Sequence, residues 1–170
     1  MLKSAIAAAV AGIALLSALP AAAEVVVRHT DGFTLRFAVP VGAAPIDVAM
    51  AVEDIGDWWD DAHTYSGDAA NMRILMEPGG CFCESMANGE PFEHGHVSAI
   101  DAWKVVLDAP LGPLKGHTTQ ADLTFSWPEA GTGTMVTMTF VVEGPGLGAM
   151  AEPVNGVMQT QFSRLVRYLE

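Results

Sequence analysis

Both cysteines of the chain and two of its five histidines fall in one stretch, GGCFCESMANGEPFEHGHV (79–97), as Cys81, Cys83, His94 and His96. Thiols and imidazoles serve as nucleophiles, proton carriers and metal ligands, so their relative placement decides which chemistry is open to them. Between the two pairs lies Asn88-Gly89, which suits a two-residue type I′ hairpin turn because that turn needs positive φ at both central positions. With that turn Ala87 faces Glu90, Cys83 faces His94 and Cys81 faces His96. Side chains two apart on a strand share a face. The spacing therefore predicts all four groups on one side of the sheet, with Glu84 and Glu93 turned to water.

Four chemistries are open to such a cluster. Zinc or copper ligation by Cys81, Cys83, His94 and His96 has suitable donors, but the spacing is not a familiar zinc pattern and C-x-C on an extended strand spreads the sulfurs apart. A Cys81–Cys83 disulfide would join Cα atoms near the ~7 Å limit for such bonds, which makes it strained and reducible. Cys83 opposite His94 has the makings of a thiolate–imidazole nucleophile, without an evident oxyanion hole. The favoured reading is the plainest: reduced cysteines packing as small apolar residues and histidines supplying polar points in an apolar pocket. It assigns no metal and no cofactor, with the Cys₂His₂ set as the alternative.

The elements that must position these residues follow from periodicity. Residues 33–39 alternate as a strand, with VVVR at 25–28 as its short partner across 29–32. Pro45 suits the first turn of a helix, whose apolar face would be Ile46, Ala49, Met50 and Val52, running to about Ile55. Residues 56–71 read as a helical turn and a long loop. Strands follow at about 71–76, 81–86, 92–100, 103–108, 116–127 and 133–143, separated by Gly and Pro clusters. The chain ends in a helix opened by Pro153, with Val154, Val157, Met158, Phe162, Leu165 and Leu169 at helical spacing. The class is α+β: one curved antiparallel sheet around a long C-terminal helix that must bury its stripe against it. A turn of two or four residues near Asp101 puts His94, His96 and Ile100 in phase with Val105 and Leu107. His117, Leu123, Phe125 and Trp127 repeat that phase on a later strand. One bulge would reverse the assignment.

Further candidate ligand contacts come from the loops and the last helix. Trp58, Trp59, His63 and Tyr65 crowd one loop, as a rim of aromatic rings or as core plugging the open end of the sheet. Phe125 and Met158 offer apolar wall. Gln161 interrupts the helix stripe and, if buried, must hydrogen-bond a ligand or the protein.

The first residues, MLKSAIAAAVAGIALLSALPAAA, have a charged start, an apolar run over 5–19 and a small-residue cleavage site. That is the pattern of a signal peptide over residues 1–23, which makes 24–170 one domain that is periplasmic or secreted. Removing Lys3 takes the formal charge from −12 to −13. So acidic a chain argues against nucleic acid and anionic lipid surfaces as partners. No later apolar run is long enough for a membrane span in the mature chain.

The stretch WWDDAHTYSGDAANMRILMEPGGCFCE (58–84) resembles the START-like SRPBCC superfamily, closest to exported bacterial members of the polyketide cyclase or activator-of-heat-shock-ATPase-like branch. FEHGHV (92–97), APLGPLKG (109–116), GTGTMVTMTFVVEG (131–144) and MQTQFSRLVRYLE (158–170) fit the same pattern in order. The resemblance implies a helix-grip fold with an internal hydrophobic cavity that binds lipids, sterols, polyketides or other apolar molecules. It brings no universal catalytic set. His94 and the paired cysteines fit the subgroup; His96 does not, so a Cys–His site including it is not implied. The expected function is binding of a small hydrophobic or amphipathic molecule, with His94, His117 and Gln161 orienting it. The alternative is a cyclase- or dehydratase-type enzyme using His94 and His117 as acid–base groups.

Overall fold

A computed structural model describes residues 22–170. The expected leader, 1–23, lies outside the described residues apart from Ala22 and Ala23. Among these residues nine strands form one antiparallel sheet: β1 (Ala22–His29), β2 (Gly32–Val41), β3 (Met72–Ile74), β4 (Cys81–Ser85), β5 (Pro91–Asp101), β6 (Lys104–Asp108), β7 (Gln120–Ser126), β8 (Glu129–Ala130) and β9 (Gly133–Glu143). Their order is β1-β2-β9-β7-β6-β5-β4-β3, with β8 paired to β9. Among the described residues two α-helices, α1 (Pro45–Glu53) and α2 (Ala151–Tyr168), and short 3-10 turns complete the fold.

The alternation in the sequence becomes the two faces of the sheet. Phe33, Leu35 and Phe37 of β2 are buried, as are Val136, Met138, Phe140 and Val142 of β9, its neighbour in unbroken register. α2 lays Met158, Phe162 and Leu165 on this surface, with the Phe162 ring 5.7 Å from that of Phe37. The helix starts two residues before Pro153, which sits in the first turn where its missing N–H costs nothing. In α1 the buried stripe is Val48, Ala51 and Val52, continued by Ile55 just beyond the helix, at i, i+3 and i+4 spacing. Ile46 and Met50, expected on that stripe, face solvent.

Register departs from the sequence reading at the 79–97 hairpin. Its last rung is Ser85–Pro91, and a five-residue loop replaces the two-residue turn. Gly89 N–H donates to Met86 C=O at 2.9 Å and Glu90 N–H to the Asn88 side chain at 3.1 Å. Only Gly89 then needs positive φ (+83°), and Asn88 does not adopt it. Along β4 and β5, Cys81 pairs with His96 and Phe82 with Gly95, but Cys83 pairs with Glu93. His94 is thus the extra residue of a bulge. A second bulge, at Ser98, separates the Val97–Leu107 and Ala99–Val106 pairs of β5 and β6, beyond a two-residue turn of Ala102-Trp103.

Candidate functional site

A cavity of about 310 Å³ lies between α2, the sheet and two loops. Val154, Val157 and Met158 of α2 form one wall and Phe140 of β9 another. Leu111 and Leu114, from the segment joining β6 to β7, close a third side. Trp59 and the turn 62–65 make the rim. None of the lining residues is Asp, Glu, Lys or Arg; the polar points are His63, Thr64, Tyr65 and His94. An apolar hollow with a few placed polar groups is the usual make-up of a small-molecule site.

Behind His94 lies its charged partner. His94 is 5% exposed and Glu84 is fully buried, with Nε2 of the ring 2.9 Å from Oε2 of the carboxylate. Oε2 also accepts the Tyr65 N–H at 3.0 Å, and Oε1 accepts the Ser66 N–H. Burial alone would raise the Glu84 pKa, but the Ser66 side chain, the two backbone amides and the His94 ring outweigh it and hold the carboxyl below its usual value. Burial lowers the His94 pKa, Glu84 opposes that shift, and the Lys115 charge adds to it. The pair at neutral pH is therefore a carboxylate and a neutral imidazole. Nε2 carries the proton and donates it to Glu84, leaving the Nδ1 lone pair free of any hydrogen bond among the described residues. Phe82 stacks on the His94 ring at 5.0 Å, and Phe92 meets it edge-on at 5.1 Å, which fixes its orientation.

The rim is tied to α2. Arg164 donates from Nε to the Trp58 C=O (2.6 Å) and from Nη2 to the Trp59 C=O (3.0 Å). Gln161 is fully buried; its Oε1 accepts the Asp60 N–H at 2.9 Å and its Nε2 lies 3.3 Å from His63 Nδ1. Trp59 Nε1 donates to the His63 C=O at 3.1 Å.

Of the residues singled out from sequence, Trp59, His63, Tyr65, His94 and Met158 line the cavity. Gln161 stands behind the rim and bonds the loop, not the hollow. Trp58 and Phe125 are core: Trp58 donates to Ala51 C=O and meets Phe125 edge-on at 6.2 Å. His117 is exposed in a turn before β7 begins at Gln120, so it is not in phase with Leu123 and Phe125. His96 is exposed on the outer face. Cys81 and Cys83 do not share a face with His94: Phe82 and Glu84, which alternate with them, contact its ring, and the two cysteines, Cys83 itself buried, are joined on the other face as a disulfide with Cα atoms 5.4 Å apart. Reduced cysteine packing and Cys–His nucleophilic chemistry are overturned by that bond. The Cys₂His₂ alternative fails on the same geometry, since the four groups point to opposite sides. Two groups escaped the sequence reading. Glu84 was assigned to water, although it is in phase with Phe82; Leu111 and Leu114 sit in a Pro/Gly-rich segment with no period to mark it as wall.

No protein-family model matches the chain, and no curated protein matches it in sequence. Solved structures do match in shape. CalU16 from Micromonospora echinospora superposes with a TM-score of 0.60 at 11% identity, over 89% of this chain and 85% of that one. An uncharacterized protein from Rhizobium leguminosarum gives 0.56 at 18% identity, over 84% of this chain and 97% of that one. The di-domain ARO/CYC StfQ of the steffimycin biosynthetic pathway gives 0.54 at 10% identity, over 84% of this chain and 52% of that one. At such identities the likeness is one of architecture: this chain has a helix-grip fold, a curved antiparallel sheet closed by its C-terminal helix.

Proposed function

We propose that this is an exported single-domain protein that binds a small, largely apolar molecule between α2 and the sheet. The observation that carries the reading is the unfilled hollow of about 310 Å³, walled by Val154, Val157, Met158, Phe140, Leu111 and Leu114. Burying ligand surface there contributes about 25 cal/mol per Å² before ordering costs. The leader pattern of residues 1–23 supports export, and the Cys81–Cys83 disulfide suits an oxidising compartment. The shared fold with an ARO/CYC protein supports a ligand-binding use of the cavity. No helix among the described residues is long and apolar enough to cross a membrane.

Native mass spectrometry of the protein recovered from its own cells tests both parts. A mature chain starting at Glu24 with a retained small molecule is expected. A full-length chain sinks export. Failure to bind the uncharged fluorescent probe N-phenyl-1-naphthylamine, together with a bare mass, sinks the cavity reading.

One observation favours an enzymatic second reading: the Glu84–His94 pair has the arrangement of a general base with an orienting carboxylate, and His94 lines the hollow. His117 takes no part, being outside the cavity. Turnover of a cavity-bound substrate, abolished by His94→Phe while probe binding persists, would establish that reading; retained turnover would exclude it.

A further inference from the structure

The two cavity imidazoles are held in opposite hydrogen-bonding senses by the protein around them. At the buried end, Glu84 is an acceptor only, so His94 must present its proton at Nε2 and a bare lone pair at Nδ1. At the rim the sense is set by a chain of two bonds. The Asp60 N–H donates to Gln161 Oε1, so the other amide atom of Gln161 is its NH₂. That NH₂ donates to His63 Nδ1 at 3.3 Å, which places the His63 proton on Nε2. Asp60 Oδ2, 3.7 Å from Nδ1, is beyond hydrogen-bond reach and does not compete. The cavity is therefore lined by an acceptor-bearing imidazole at its buried end and a donor-bearing one at its rim, with no Asp, Glu, Lys or Arg among its lining residues.

We infer that the site selects an uncharged molecule with an apolar body, a hydroxyl at the end that enters first and a carbonyl at the end that stays near the rim. This rests on the cavity-binding reading and adds polarity to it. A ligand hydroxyl donates to His94 Nδ1, and a ligand carbonyl accepts from His63 Nε2–H. A carboxylate at the buried end is rejected, because it would set lone pair against lone pair at Nδ1.

The test is displacement of N-phenyl-1-naphthylamine from the full mature protein by four compounds sharing one bicyclic body: tetralin, 1-tetralone, 5,6,7,8-tetrahydro-2-naphthol and 6-hydroxy-1-tetralone. The hydroxyl is expected to tighten binding about tenfold and the carbonyl about threefold, each the size of one buried hydrogen bond. His63→Ala, at an exposed position, removes only the carbonyl preference. His94→Phe removes the hydroxyl preference. Should that variant fail to fold, the ring nitrogens of the wild type report directly. Long-range ¹H–¹⁵N correlation spectra must show His94 Nδ1 unprotonated, and shifted by the hydroxyl compounds only. Equal displacement by all four, or a protonated Nδ1, overturns the polarity while leaving the cavity reading intact. Failure of the fluorescent probe itself to bind takes down both.

Discussion

Glu84 shows what a single buried carboxylate demands. Its two oxygens receive the Tyr65 and Ser66 amides and the His94 ring, so nearly every acceptor direction is used. Replacing it with Gln tests that inventory. Whichever way the new amide sits, its NH₂ meets a backbone N–H, at Tyr65 or at Ser66, that cannot be reversed. Glu84→Gln is therefore expected to cost about 1–3 kcal/mol in urea unfolding. In the orientation facing His94 it also moves the ring proton to Nδ1. Unchanged stability would mean the carboxylate is not holding the loop. The pair also makes stability depend on pH. His94 has its pKa lowered below 6.5, so between that value and the folded one the unfolded chain binds the extra proton. Stability is full above about 6.5 and falls as pH drops through the window; the Glu84 contribution follows below 4.5. The urea midpoint should decline from pH 7 to pH 5 in the wild type, and the decline should flatten in His94→Gln. Sequence placed His94 at the cavity and Glu84 in water. The difference lies in bulges, which residue types on one strand do not announce.

Strand β5 carries that lesson at the scale of an element. Its existence, and nearly its limits, were legible from alternation and turn residues, as were β2, β6, β9 and α2. Its facing was not, because each bulge reverses parity. Ser98 moves the inward phase from Ile100 to Val97, and the extra residue at His94 moves it back toward Phe92. His94 thus points inward after two reversals and His96, between them, points out. The Cys81 and Cys83 Cα atoms lie 5.4 Å apart, within disulfide range and closer than an extended C-x-C allows. Gly95, in the middle, is required by proximity: an added Cβ would run into the Asp108 C=O and lie 2.7 Å from the Ala109 Cα. Those are backbone atoms at the start of the segment that carries Leu111 and Leu114. Gly95→Ala must therefore push β5 away from that cavity wall. It is expected to lose at least about 1–3 kcal/mol of stability and to weaken binding of N-phenyl-1-naphthylamine. Wild-type values in urea unfolding and probe titration would show that the approach of the two segments is not tight.

At the scale of the molecule, the architecture was readable because it follows from element order: a long run of strands, then one striped helix that can bury itself only against the sheet. The hollow was not measurable from sequence, since its volume depends on how far α2 stands off from β9 and on a Pro/Gly segment with no period. That stand-off has a thermodynamic signature. Apolar walls facing an unfilled space forgo dispersion contacts that a packed core would make, so the free protein gives up stability that a guest restores by mass action. Val157, half-buried on the cavity side of α2, is the place to separate the two effects. Val157→Phe puts a ring where the guest would lie. The melting temperature of the free protein should rise by about 2–4 °C, the shift expected for 1 kcal/mol in a domain of this size. Probe affinity should fall at least about tenfold, and the stabilisation the probe gives the wild type should vanish. A variant that melts lower and still binds the probe would mean the guest sits elsewhere and that α2 packs on the sheet without room to spare.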